Sequence, residues 1–474
     1  MSLDNILNAA VDNFKQTLYS FCQNNGTVLD KIDSGSFAVM TKGLMEAAKQ
    51  AGRTGLCTYL KENDTVAANI AHNGTTFRFK GTSAKELLTL FGTISIDRAM
   101  YYNEIEGGSY YFPLDNAISI EKNDFATLEV REMILFATAS CVPAELHSIL
   151  KKCSLCNPST TAIQNIINKD GQAIEEYSKQ LSTNVFQTVV VPQQTCAIVA
   201  SLDGANVLLR EAGAKKGRKN IRPVEQKNQS TSTSYHNAMV GAVSFYGSDT
   251  ENKPKRLESL YIARMPQEKT VTFKEDFERM VTQMENNCNE QKIPVIKVLL
   301  TDAHLMIKGF AKENKKLQEY EMLVDFFHTT EHLSRAAEAI FGKNTDLSQH
   351  WYDKWREKMK SERDTPAAII RSMKGYLTRC KLSANRKKEL CTEITFFRKN
   401  KHLMKYPDFI ARNLPIGSGP IEAAAKTIIK QRMCRSGMRW TREKGQYVLT
   451  IRAFVQSGLW DSVWNNYKKL RIAS

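Results

Sequence analysis

Apolar positions recur every three or four residues over 2–24 (Leu3, Ile6, Leu7, Val11, Phe14, Leu18) and again over 34–62, with the turn-rich NNGTVLDKIDSGS between. That spacing predicts two helices. From Phe77 to Asp115 the period shortens to two, as in Thr93–Arg98, and glycine-containing turns interrupt it. This predicts a small β-rich element. Helical spacing returns over 127–182, in three short pieces: Thr127–Ser140, Pro143–Lys151 and Pro158–Asn168. Pro158 sits early in the third, where its missing N–H costs little. Three short helices in a row fit a helix-turn-helix that reads a major groove, and equally an ordinary bundle.

The pattern then becomes α/β. Thr195–Val207 is a run of small and β-branched apolar residues broken by Asp203 and Gly204. It predicts a strand buried on both faces that ends at the acid. A polar loop, Glu211–Tyr235, follows, and then strands at His236–Phe245 and Arg256–Arg264. Phe273–Glu290 carries a helical stripe of Phe277, Met280, Val281 and Met284. Val295–Leu300 is the next buried strand and runs into Asp302. A helix at Met306–Asn314, a strand at Tyr320–Phe327 and a helix at Glu331–Phe341 complete the series. Three strands, helix, strand, helix, strand is the order of an RNase H-like mixed sheet, in which two central strands bring their acids together.

Residues Lys343–His402 interrupt this order with a helical, basic stretch of 16 Lys or Arg against 7 acids, including Trp351 and Trp355 one turn apart. It reads as an inserted helical domain, either a DNA-facing surface or a solvated amphipathic bundle. Beyond it, LPIGSGPIEAAAK starts a helix at Pro420 after a Gly-Ser-Gly cap, with Glu422 in the first turn, where the positive helix end favours an ionised acid. Lys426 to Arg442 holds six basic residues and no acid. The predicted organisation is a helical region at 1–66, a β-rich element at 67–126 and a helix-turn-helix-like region at 127–188. The α/β core follows at 189–342, the basic insertion at 343–413 and the last part of the core at 414–474.

Charge sharpens this picture. Lys and Arg total 66 against 50 acids in 474 residues, a formal charge of +16. That favours a polyanionic partner, nucleic acid first and an acidic membrane surface second. Asp4 and Asp12 break the apolar pattern of the first helix, which argues against a signal peptide, and no stretch approaches a membrane span. The ten cysteines form no framework; Cys153 and Cys156 make a lone CxxC without partners at zinc-finger spacing. Reduced, buried thiols and a cytoplasmic, nucleoid-associated location are expected.

Asp203, Asp302 and Glu422 are the candidate catalytic residues. Crowded carboxylates repel and raise one another's pKa. A divalent cation resolves the conflict, and oxygen-only ligands suit Mg²⁺ or Mn²⁺. Two such ions about 3.5–4 Å apart can clamp a phosphodiester for in-line transfer, first to water and then to a DNA 3′-hydroxyl. Glu331 and Glu338, 29 and 36 residues beyond Asp302, compete with Glu422, 120 beyond, for the third place. Lys426, Lys430, Arg432, Arg435 and Arg439 are candidates for DNA backbone contacts. Trp440 either stacks on an unpaired base or packs. Asp325 and His328, at the end of the last core strand, are expected to form a buried, hydrogen-bonded pair that shapes the site, with a contact to the scissile DNA as the alternative.

Four stretches resemble the DDE transposases of bacterial insertion sequences, the Kra family of elements in particular: SLDGANV, LLTDAH, LVDFFHTTEHL and LPIGSGPIEAAAK…RMCRSGMRW. The similarity covers about Thr195 to Trp464, and more loosely FGTISIDRAMYY and the helices after it. It implies an RNase H-like catalytic domain with a helical insertion before the third acid. It also implies recognition of terminal inverted repeats and metal-dependent strand cleavage and joining by a dimer or larger assembly. Relatives often carry paired cysteines near FGTISIDRAMYY; YYNEIEGGSYYFPLD has none. The competing expectations are a DNA-binding regulator that has lost catalysis and a nuclease that does not join strands.

Overall fold

In the computed structural model, which describes residues 3–103, 108–153, 156–210 and 234–473, the chain divides into two compact units. One is residues 1–170 with 468–474; the other is residues 171–467.

The first unit begins with two paired helices, Leu3–Asn24 and Ser34–Glu62. Asp33 caps the second by accepting from the Ser36 N–H at 2.8 Å. An antiparallel meander follows, of β1 (Asn69–His72), β2 (Thr75–Thr89), β3 (Gly92–Asn103) and β4 (Ser109–Tyr111), paired in chain order. Its alternation buries Leu87, Ile94 and Ile96 against Leu60. Helices Leu128–Thr138, Pro143–Lys152 and Thr160–Glu176 come next. The third starts later and runs further than expected. Pro158 lies outside it, its carbonyl taken by His147 Nδ1 at 2.9 Å, and Ser159 Oγ accepts from the Ala162 N–H at 3.1 Å.

A buried charge network ties this unit together. Arg131 meets Asp170 through two 2.8 Å bonds and Asp124 at 2.6 Å. Arg471 also reaches Asp124, and lies 3.3 Å from Asp170. Asp170 and Asp124 have 0 % and 2 % of their side chains exposed.

The second unit holds a five-stranded mixed sheet. Its strands are β5 (Ala197–Leu209), β6 (Ser234–Ser248), β7 (Pro254–Arg264), β8 (Ile296–Thr301) and β9 (Glu321–Val324), in the order β7-β6-β5-β8-β9. The first three pair antiparallel, and β8 and β9 add in parallel. Period-two alternation sorts the side chains of β5 onto two cores. Ile198, Ala200 and Leu202 face the helix Val271–Glu290 through Phe273, Phe277, Met280 and Met284. Ala197 and Val199 face the helix Phe326–Phe341 and, beyond it, the insertion. The insertion is helical at Asp346–Ser361, Thr365–Arg379 and Ala384–Asn400. Trp351, Ile369, Met373, Leu390 and Phe397 continue the second core into it. Trp351 donates to Ser372 Oγ at 3.2 Å, so this tryptophan serves packing inside the insertion.

Three expectations need correcting. β5 does not stop at Asp203 but continues to Leu209, because β6 pairs with it along its whole length. DFFHTTEHL does not extend a strand: β9 ends at Val324, and Asp325 caps a helix starting at Phe326. The cysteines are free, but Cys153, Cys391 and Cys434 are exposed. The Glu211–Tyr235 loop lies outside the described residues up to 233. Among the described residues, no helix is long and apolar enough to cross a membrane.

Candidate active site

β5 and β8 pair in parallel only from Ala197↔Ile296 to Ser201↔Leu300. Continued two residues, that register sets Asp203 opposite Asp302, just past the end of β8. Alternation places both acids on the insertion-side face, in series with Val199 on β5 and with Val298 and Leu300 on β8. The two predicted strand acids therefore meet, although Asp203 is interior to its strand.

The third acid comes from a different element. Ser418 precedes the short helix Gly419–Ala424, and Glu422 lies in its first turn. A π-helical stretch, Ala425–Lys430, follows directly. Asp203, Asp302 and Glu422 line one cavity of about 210 Å³ together with His328, Glu331 and Ser418. Glu331, the competing acid, is thus also at the cavity, while Glu338 does not line it.

Each acid is held by its neighbours. Asp203 Oδ1 accepts from the Gly204 N–H at 2.6 Å, and Asp302 Oδ1 from the His304 N–H at 2.8 Å. Ser418 Oγ donates to Glu422 Oε1 at 3.4 Å. A Cβ at 204 would meet the side-chain amide of Asn237, which would have to turn aside to admit it. Burial pushes the Asp203 carboxyl above its usual value; the Gly204 N–H and Lys430 oppose this, and Asp302 and Glu422 add to it. Among the described residues, no three His, Cys, Asp or Glu side chains stand close enough to close on one ion. The donor set is that of a hard cation, in an open arrangement.

Because the folded chain keeps the Asp203 proton to higher pH than the unfolded chain, this group favours folding most at low pH. That contribution is lost as pH rises through its raised value. At neutral pH the ionised carboxylate therefore costs stability. Asp203→Asn is expected to raise Tm at pH 7.5, on the order of 2 °C, with the gain vanishing near pH 4. Scanning calorimetry at the two pH values checks it.

Asp325 is fully buried and joins two helix starts. Its Oδ1 accepts from the His328 N–H at 2.5 Å, and its Oδ2 from the Ser418 N–H. The expected Asp325–His328 pair therefore exists through the backbone. The His328 ring instead lies 3.7 Å from Glu331 and meets His332 edge-on at 4.9 Å. Sequence reasoning missed His332, which contacts Glu393 of the insertion at 2.5 Å and stacks on Phe396. Burial, opposed by Glu393, lowers the His332 pKa. Asp325→Ala leaves the buried Ser418 N–H unpaired and removes a cap, a loss of about 1–3 kcal/mol. Asp325→Asn should recover part of it, as urea unfolding of the two variants would show.

The basic run divides. Lys426, Lys430, Arg435 and Arg439 are exposed. Arg432 is not: it is 2 % exposed, with its guanidinium 5.2 Å from the Trp440 ring centre. A backbone-phosphate contact by Arg432 is thus replaced by a packing role. Trp440 donates to the Met433 carbonyl at 2.9 Å, and its backbone bridges to Leu209 at the end of β5. This is the packing alternative for Trp440.

Residues 33–190 match the model of an uncharacterised protein family (UPF0236). No curated protein matches the chain. Among solved structures, the chain is similar to the Drosophila P element transposase strand transfer complex, at 12% identity and a TM-score of 0.26, over 72% of this chain and 81% of that one. So loose a superposition leaves function to the chain's own residues.

Proposed function

We propose that this protein is a DDE-type transposase that cleaves and joins DNA strands at the ends of an insertion sequence, of the Kra type that its motifs resemble. One observation carries the reading: Asp203 and Asp302, 99 residues apart, and Glu422, 120 further on, line a single polar cavity. The strand order β7-β6-β5-β8-β9, with three antiparallel strands and two parallel ones, supports an RNase H-like core. The helical insertion falls between the last strand and the third acid, as the resemblance implies.

Asp203, Asp302 and Glu422 would hold two Mg²⁺ or Mn²⁺ ions, which when bound activate the attacking oxygen and stabilise the leaving one. The chain's own contribution is placement. The Gly204 and His304 N–H groups each engage one oxygen of their carboxylates, leaving the other free for a cation. Ser418 orients Glu422, and Asp325 fixes Ser418. Exposed Lys426, Lys430, Arg435 and Arg439 supply phosphate contacts next to the third acid. The DNA partner is the terminal inverted repeats and a target duplex, held by two or more copies of the chain.

The test uses purified full-length protein and a labelled duplex carrying the inverted repeats that flank the gene. With Mg²⁺ or Mn²⁺, nicks at the repeat ends and strand-joined products are expected; with EDTA, neither. Nicking without joining would reassign the protein as a nuclease. Binding without either would make it a regulator.

A further inference from the structure

Outside the acid cavity and the 426–442 run, lysines gather where the insertion returns to the sheet. The helix Leu305–Glu313 carries Lys308 and Lys312. The end of the helix Ala384–Asn400 and the single turn Lys401–Leu403 carry Lys399 and Lys401, and Lys405 follows. Lys308 Nζ donates to Asn400 Oδ1, which ties the two stretches together. Lys312, Lys399, Lys401 and Lys405 are exposed. Among the described residues, none of these five lysines makes an ion pair. The nearby Glu321 feels Lys405, but its two oxygens are held by Arg412 at 2.6 and 2.7 Å.

The crowding is electrostatically real. Burial and then Lys308, Lys405, Lys312 and Lys401 hold His402 below its usual value; burial and then Lys312 and Lys399 do the same to Lys308. Like charges this close repel, and a polyanion relieves the repulsion.

We propose that Lys308, Lys312, Lys399, Lys401 and Lys405 form a second landing surface for the phosphate backbone of duplex DNA. Phe397, Tyr406 and Phe409 are buried in the core and His402 is a single exposed ring, so among the described residues no row of rings stands here for successive bases of a single strand. Lysines without aromatic partners bind phosphate and carry no base readout. Only Ala303 and His304 separate Asp302 from the helix bearing Lys308 and Lys312, so a duplex seated here is led toward the second acid. That step rests on the phosphodiester reading; binding itself does not.

The experiment is fluorescence anisotropy in EDTA with full-length protein and three labelled probes: a mixed-sequence DNA duplex, its single strand and an RNA duplex. The variant Lys399→Gln/Lys401→Gln/Lys405→Gln is compared with Lys15→Gln/Lys42→Gln/Lys61→Gln, which removes equal charge from exposed positions of the other unit. Each lost phosphate contact lowers the slope of log affinity against log salt by about 0.9, so a drop of up to about 2.7 is expected for the patch variant alone. Equal slopes for the two variants, or a loss confined to single-stranded DNA or RNA, would overturn the proposal. If the triple variant fails to fold, Lys312→Gln/Lys405→Gln is read the same way, with a drop of up to about 1.8. Protein that binds duplex through the patch yet never cuts keeps this proposal and removes the transposase reading.

Discussion

Asp302→Ala and Asp203→Ala should each lower strand cleavage by about 10³-fold or more while leaving DNA affinity within about twofold. A single misplaced electrostatic group in a preorganised site costs about 10²–10³ in rate, and an acid that would share in holding the metal should cost at least that. Affinity survives because neither carboxylate adds to binding a polyanion. The informative control is Glu331→Ala beside Glu422→Ala, since both acids line the cavity. Loss on Glu422→Ala with activity retained on Glu331→Ala assigns the third place, and the reverse outcome moves it to Glu331. Initial cleavage rates on an intact, labelled end duplex, with binding measured in parallel, give the answer. Cleavage that persists in Asp203→Ala would falsify the assignment.

Asp170→Ala should destabilise the first unit by about 3 kcal/mol, because it removes the two-bond partner of buried Arg131 and leaves that guanidinium and Arg471 to share Asp124. Replacing the pair together, Arg131→Met with Asp170→Leu, should recover most of that loss, since apolar side chains of similar volume often replace a buried pair at little cost. The network also predicts an acid limb. Burial would raise the Asp124 carboxyl, but Lys169, Arg131 and Arg471 outweigh it and bring it down to about 2. With the folded value below the unfolded one, its stabilisation is present above about pH 4 and is lost as pH falls toward 2. Chemical denaturation across that range, on wild type and Asp124→Asn, checks it: the variant should lose the pH dependence.

Much of the sheet was legible because its evidence is local. The two-residue period of β5 and the apolar runs of β8 and β9 lie within single segments, and the acids follow them directly. What failed was decided by partners elsewhere in the chain. Asp203 and Gly204 look like a strand end until β6 is present to carry the strand on to Leu209. Phe326 and Phe327 look like strand residues until Asp325 is seen to cap a helix. Arg432 reads as a surface cation in a basic run, yet it packs on Trp440, which returns to the edge of β5. The Glu393–His332 contact and the lysine patch join segments separated by 61 and about 90 residues, and no periodicity reports such meetings.

The reach of Arg471 back to Asp124 and Asp170 has a consequence for biosynthesis. A ribosome must translate the whole intervening unit before the last of the cations facing these two buried acids, which Arg131 and Lys169 meet earlier, becomes available. Nascent or prematurely terminated chains would carry those acids short of one cation, in a domain otherwise fully made. Such fragments should be favoured substrates for quality-control proteases, so that polypeptides lacking Glu422 would not accumulate.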